Sequence, residues 1–374
     1  MPALRPDVDP DGLLEYSVVF TDRSLNHMSQ SFQEVMNDIS ATLKQVYGAS
    51  GVALVPGGGT YGMEAVARQF SNNAQCLVIR NGYFSFRWSQ ILDAGRIARD
   101  TKVLKARRTG DGPKAPFAPA PLSEVVQAIR AERPEVVFAP HVETSAGMLL
   151  PDDYLREVAD AVHEHGGLFV LDCIASGALW VDMRAVGVDV LLSAPQKGWS
   201  ASPCAALVMM SDHALERIEN TTSSSFACDL KKWLDIMRTY ENGGHAYHAT
   251  MPTDGLRAFR NGMADTQTLG FDAARDAQIK LGQRVRAVLE SHQFASVAAD
   301  GFQAPGVVVS YTDDPDIQSG KRFAAQGLQV AAGVPLQCDE GPDFRTFRLG
   351  LFGLDKLENI DRTVDHLSGA LAKL

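Results

Sequence analysis

Long apolar runs are missing from this 374-residue chain, and without one no helix can cross a bilayer. The opening MPALRPDVDPDG also lacks the basic and apolar regions of a secretory leader, so a cytoplasmic protein with no membrane partner is expected. An excess of basic residues is missing too. The formal charge of −10 leaves no positive footprint for nucleic acid or an acidic membrane. Cysteine is scarce: the five, Cys76, Cys173, Cys204, Cys228 and Cys338, show no C-x-x-C or metal-ligand spacing and read as reduced and mostly buried. No metal is expected. What is present is a globular composition: with 45% hydrophobic residues the chain can bury a large core, and its length suggests a major domain with a smaller partner.

The most telling stretch is 188–203, VDVLLSAPQKGWSASP, where an apolar run ends in a polar turn carrying one lysine, Lys197. Upstream, 167–172 (GLFVLD) ends in a carboxylate, Asp172. Taken singly, a lysine after a strand is usually solvated and an Asp there usually caps a turn. Together they are what pyridoxal phosphate chemistry needs. A lysine amine bonds the cofactor aldehyde, and an acid against the pyridine nitrogen keeps the ring protonated, because a nearby opposite charge stabilises the charged form. Once displaced by a substrate amine, the lysine would move the proton between substrate and cofactor carbons as general acid and base.

A third element suits an anion. The apolar strand 52–55 runs into Pro56, Gly57, Gly58, Gly59 and Thr60, followed by a helical pattern over 61–70. Glycines let backbone approach a phosphate, and the first helical turn offers unpaired N–H groups with a favourable dipole. The same loop matches G-x-G-x-x-G through Gly57, Gly59 and Gly62, so an NADP-dependent dehydrogenase is a rival reading. That rival expects an acidic residue about 20 positions on to hold the ribose. Here the next strand ends in Arg80, Asn81 and Gly82, of which Arg80 would suit a 2′-phosphate.

Seven segments occur in one order: 57–65 (GGGTYGMEA), 80–88 (RNGYFSFRW), 141–151 (HVETSAGMLLP), 170–183 (VLDCIASGALWVDM), 193–203 (SAPQKGWSASP), 247–252 (YHATMP) and 347–353 (FRLGLFG). Together they resemble a class V aminotransferase of fold type I, in the alanine-glyoxylate and serine-pyruvate branch. The resemblance covers the chain from about Ser40 onward. It implies an α/β fold: a large domain with a mainly parallel seven-stranded sheet between helices, plus a smaller C-terminal α+β domain. Pyridoxal 5′-phosphate is the implied cofactor, bonded by Lys197 and paired at its pyridine nitrogen with Asp172. Gly58, Gly59 and Thr60 would bind its phosphate, approached also by Gln196. Phe84 would stack on the ring, Ile174 would cover the other face, and Thr144 or Ser145 would hydrogen-bond the ring hydroxyl. Tyr247 and Thr250 match positions that reach the phosphate from a neighbouring subunit, so a homodimer with shared active sites is implied. Arg348 matches the position that grips the substrate carboxylate, a task for which a planar guanidinium is suited.

One departure stands out. Where the family opens with a glycine and proline segment lining the substrate pocket, this chain reads LLEYSVVFTDRSLNHMS over 13–29, with Asn26 and His27 placed for new substrate contacts. Apolar patterning predicts strands near Val52, Cys76, Val136, Gly167 and Val188, with helices at Met63, Phe86, Leu122 and Asp153, and another buried strand at 205–210, which the resemblance implies is antiparallel and beside the lysine. A long helix is expected over 256–289. The expected division is an N-terminal arm (1–15), a large domain (16–269) and a small domain (270–374). His163 and His165 read as solvated rather than metal-binding. Cys338, in the loop LQCDEGPDF, sits too near the arginine strand for a desulfurase nucleophile. The expected activity is transfer of an amino group from a small amino acid, alanine or serine, to pyruvate or glyoxylate by a ping-pong exchange. Alternatives are a 2-aminoethylphosphonate transaminase, another aldehyde-cofactor enzyme such as a lyase or desulfurase, the dehydrogenase, and a non-catalytic binding module.

Overall fold

In the computed structural model, which describes residues 13–374, the apolar runs become the strands of one sheet. They are β1 (Gly51–Pro56), β2 (Gln75–Arg80), β3 (Asp100–Lys105), β4 (Val136–Pro140), β5 (Leu168–Asp172), β6 (Val190–Ser193) and β7 (Ala205–Met210). Their order across the sheet is β1-β7-β6-β5-β4-β2-β3. β7 runs antiparallel to both neighbours, and the remaining pairs are parallel. The expected seven-stranded α/β sheet is therefore observed. β4, β5 and β6 are buried along their whole lengths, as a parallel sheet covered on both faces requires.

This order positions the chemistry. β1 is antiparallel to β7, and β7 is antiparallel to β6, so β1 points the same way as β5 and β6. The loop after β1, Asp172 at the end of β5, and the turn after β6 consequently meet at one edge of the sheet. Ligands of open α/β sheets bind at such strand ends. Three helices frame that edge and its back: α1 (Gln30–Tyr47), α2 (Gly59–Phe70) and α3 (Tyr83–Gly95). α1 starts on Ser29, whose hydroxyl accepts Phe32 N–H, and ends on Gly48 in the left-handed region, where other residues are strained.

The sequence pattern did not reveal β3. Its run DTKVLK mixes two lysines with only two apolar residues because it is an edge strand, and Lys102 and Lys105 pair with Glu132 and Asp339 instead of facing a core. The long helix expected over 256–289 is in fact two, Thr253–Leu269 and Phe271–Ser291, broken at Gly270 with φ 95. Beyond it, β8 (Val307–Tyr311), β9 (Ala331–Ala332) and β10 (Thr346–Gly350) form an antiparallel sheet in the order β8-β10-β9. Phe347 from this sheet packs with Leu281, Val285, Phe323 and Leu367 in an apolar cluster separate from that of the large sheet.

His163 and His165 are not merely solvated. His165 Nε2 lies 2.8 Å from the Pro134 carbonyl, and His163 Nε2 lies 2.8 Å from Oδ2 of buried Asp189. The carboxylate of Asp189 also accepts Phe169 N–H on Oδ2 and Ser211 Oγ–H on Oδ1, with His213 Nδ1 at 3.2 Å. The cluster ties a helix end, a strand start and a helix start together, and the facing atoms of His163, Asp189 and His213 all lie within 4.8 Å of one another. Among the described residues, no helix is long and apolar enough to cross a membrane.

Candidate active site

Lys197, Asp172, Gln196, Ile174 and Thr144 line one cavity of about 150 Å³ at the strand ends, closed on another side by Gly59, Thr60 and Phe84. The glycine loop explains its own composition. Gly57 has φ 121, a Cβ on Gly59 would meet Ile174 Cδ1 at 2.5 Å, and a Cβ on Gly62 would meet Ala206 Cβ at 2.5 Å. One glycine turns the chain, one opens the cavity and one lets α2 lie close on β7. Gly58 is the residue before α2, with extended backbone and open space where a side chain would be. Arg80, which the dehydrogenase reading needed for a 2′-phosphate, is buried beneath α3. It donates to Ser89 Oγ at 2.9 Å and lies 4.5 Å from the Phe86 ring centre. It cannot reach a nucleotide at the loop.

Burial sets the electrostatics of the pair. The Asp172 carboxyl is pushed up to about 7, chiefly by burial and secondarily by Glu143, while Ile174 N–H, Arg87 and Lys197 oppose the rise. Among the described residues it accepts one hydrogen bond, from Ile174 N–H to Oδ1 at 2.9 Å. A protonated pyridine nitrogen is the partner such a carboxylate lacks. The Lys197 amine is held below its ordinary range by burial first and by Arg348 second, with Asp172 opposing. A larger share of neutral amine makes it the better nucleophile. Its Nζ lies 4.9 Å from the centre of the Phe352 ring. The Gln196 side-chain oxygen is buried with no hydrogen-bond partner, which fits a polar group lodged in the cavity.

Arg348, on β10, reaches the same place from the second sheet: its Cζ is 5.5 Å from the Phe84 ring centre, and its Nε donates to the Ala332 carbonyl at 2.8 Å. The sequence left Thr144 and Ser145 open. Thr144 lines the cavity, whereas Ser145 is buried behind it, accepting Tyr83 N–H and donating to Glu143 Oε1. Asn26 and His27 are not brought to this cavity. Asn26 turns to Glu15 and to Met28 N–H, and buried His27 packs against Phe20, His245 and Tyr247. Tyr247 and Thr250 are exposed, 3.2 Å apart through their hydroxyls, and line no part of this chain's cavity.

Two residues escaped the sequence reading. Glu143, fully buried, accepts Phe84 N–H, Ser85 N–H and Ser85 Oγ–H at the start of α3 and so fixes the helix that carries Phe84. Arg87 lines the cavity and donates to Thr60 Oγ1 at 2.9 Å. Its position three residues after Phe84, one helical turn, was the available signal.

The family profile "Aminotransferase class-V" matches residues 13–333. A protein named "Soluble hydrogenase, small subunit" from Synechococcus sp. is 25% identical over 94% of this chain and 88% of its own length. The 2-aminoethylphosphonate–pyruvate transaminase of Paraburkholderia phymatum is 28% identical over 89% of this chain and 84% of its own. Among solved structures, an alanine–glyoxylate aminotransferase from Nostoc sp. superposes with a TM-score of 0.78 at 23% identity, covering 92% of this chain and 88% of that one. The match over most of the chain, with lysine and buried acid meeting at one sheet edge, shows that it belongs to the class V aminotransferases, enzymes that depend on pyridoxal 5′-phosphate.

Proposed function

We propose that this enzyme moves an amino group from a small amino acid, alanine or serine, to glyoxylate or pyruvate by a two-step exchange. The carrying observation is the convergence of Lys197 and Asp172 in one cavity of about 150 Å³, with the Arg348 guanidinium at its flank. Bound cofactor supplies an aldehyde to take the amino group and a ring to accept electrons. Asp172 holds the ring nitrogen protonated, and Lys197, kept partly neutral, lifts and returns the proton at the substrate carbon. Arg348 fixes the substrate carboxylate, and Phe84 and Ile174 hold the ring between them. Thr144 orients the ring hydroxyl, while the start of α2, Thr60 and Gln196 take the phosphate. In this reading 16–269 form the cofactor domain, and 270–374 form a small domain that delivers Arg348.

Exposed apolar side chains support a homodimer: Tyr16, Val18 and Phe226 are 89%, 102% and 77% exposed, and Tyr247, at 54%, belongs to the segment that would enter the partner's site. A cytoplasmic setting agrees with five free cysteines. 2-Aminoethylphosphonate as donor is a second reading, supported by the 28% identical relative, since Arg348 would hold a phosphonate as well as a carboxylate. Desulfuration is disfavoured: Cys338 is buried, its thiol donates to the Arg80 carbonyl, and burial pushes it up to about 12. Hydrogenase chemistry is disfavoured because it runs on clusters held by gathered thiolates, and these cysteines form no such group among the described residues.

The test is spectral. Holoenzyme should change absorbance on addition of its true donor among alanine, serine and 2-aminoethylphosphonate and recover with pyruvate or glyoxylate. A spectrum indifferent to all three donors sinks both readings, and a response to the phosphonate alone selects the second.

A further inference from the structure

A phosphate ester carries a charge of about −1.5 to −2 at neutral pH. Every group of this chain assigned to it above is uncharged: the backbone at Gly58, Gly59 and Thr60, the Thr60 hydroxyl and the Gln196 amide. The N-terminus of α2 contributes roughly half a positive charge. Roughly 1 to 1.5 units of positive charge are still missing, and in a partly enclosed cavity such a deficit weakens anion binding.

Arg87 stands where that charge is needed. It lines the cavity, donates from Nη1 to Thr60 Oγ1 at 2.9 Å, and rests against Phe84 with Cζ 5.3 Å from the ring centre. The aromatic ring on one side and the threonine on the other hold the guanidinium in place. No carboxylate among the described residues lies at ion-pair distance from it, although most other arginines of the chain are so paired. Arg348, whose Cζ is 5.5 Å from the same Phe84 ring centre, is engaged with the Ala332 carbonyl. The positive charge of Arg87 is also felt at Asp172, where it favours the ionised carboxylate.

We propose that Arg87 is the counter-charge of the cofactor's phosphate, and that it governs retention of the cofactor whenever Lys197 is not bonded to it. Amino-group exchange requires Lys197 to let go, and in that half of the cycle only non-covalent contacts keep the cofactor in place. The threonine hydroxyl and the guanidinium, already joined to each other, would both serve the phosphate. The inference rests on the placement of the phosphate at the start of α2.

The test titrates the full-length, cofactor-stripped protein calorimetrically with pyridoxamine 5′-phosphate and with pyridoxamine, neither of which bonds to lysine. Arg87→Ala should weaken binding of the phosphorylated compound by about 10- to 100-fold, the scale of a charge-assisted hydrogen bond, and leave pyridoxamine unchanged. Arg87→Lys should recover most of the loss. If Thr60→Val weakens the phosphorylated compound while Arg87→Ala does not, the role of Arg87 is overturned and the phosphate placement stands. If neither variant discriminates between the two compounds, both are overturned.

Discussion

At the scale of single residues, Asp172 is in tension between stability and function. An acid whose carboxyl is raised to about 7 by burial costs the fold stability as it ionises, a cost that begins above its ordinary value of 3.8 and is complete above pH 7. Asp172→Asn in cofactor-free protein should therefore raise the melting temperature at pH 8 and change it little at pH 4. Turnover should fall by at least about 100-fold, since the ring nitrogen loses its charged partner. A cofactor-free variant that melts no higher than wild type at pH 8 would contradict the buried, unpaired carboxylate. Lys197 and Asp172 were legible in the sequence because each closes an apolar run, a local signal. Glu143 and Arg87 were not. Their meaning comes from Ser85 and Thr60, residues 58 and 27 positions away that only the fold brings near.

At the scale of elements, the start of α3 is organised by one buried carboxylate. Glu143 accepts from the first N–H groups of the helix, the place where a negative charge is most favourable. Glu143→Ala strands those donors, and the protein should lose about 2–3 kcal/mol of stability, read as a lower urea midpoint. Cofactor affinity should fall with it, because Phe84 is carried on the same turn. A stable variant with weakened cofactor binding would separate the two effects. The buried strands were legible from apolar runs, but β3 was hidden by its lysines. The interruption at Gly270 was hidden as well, since one glycine within a helical pattern does not by itself announce a break.

At the scale of the whole molecule, the shared site is the reading that a single chain expresses least directly. Tyr247 and Thr250 are exposed and line no part of this chain's cavity, so the proposed role for them requires a second copy. Co-expression of Lys197→Ala with Tyr247→Ala subunits offers a direct check. Each parent alone should be close to inactive. Random pairing makes about half the dimers mixed, each with one intact site, so activity should return to about a quarter of wild type. A mixture as inactive as its parents would mean that each chain builds its site alone.

The open sheet has two borders, and they are protected differently. β1 is covered by the helix Leu230–Glu241, whereas β3 carries its own defence in Lys102 and Lys105. Bare strand borders invite neighbouring molecules to zip onto them, and cationic side chains along the rim discourage such stacking. The lysines that concealed β3 from pattern reading are thus also what guards that border against fibril-like growth.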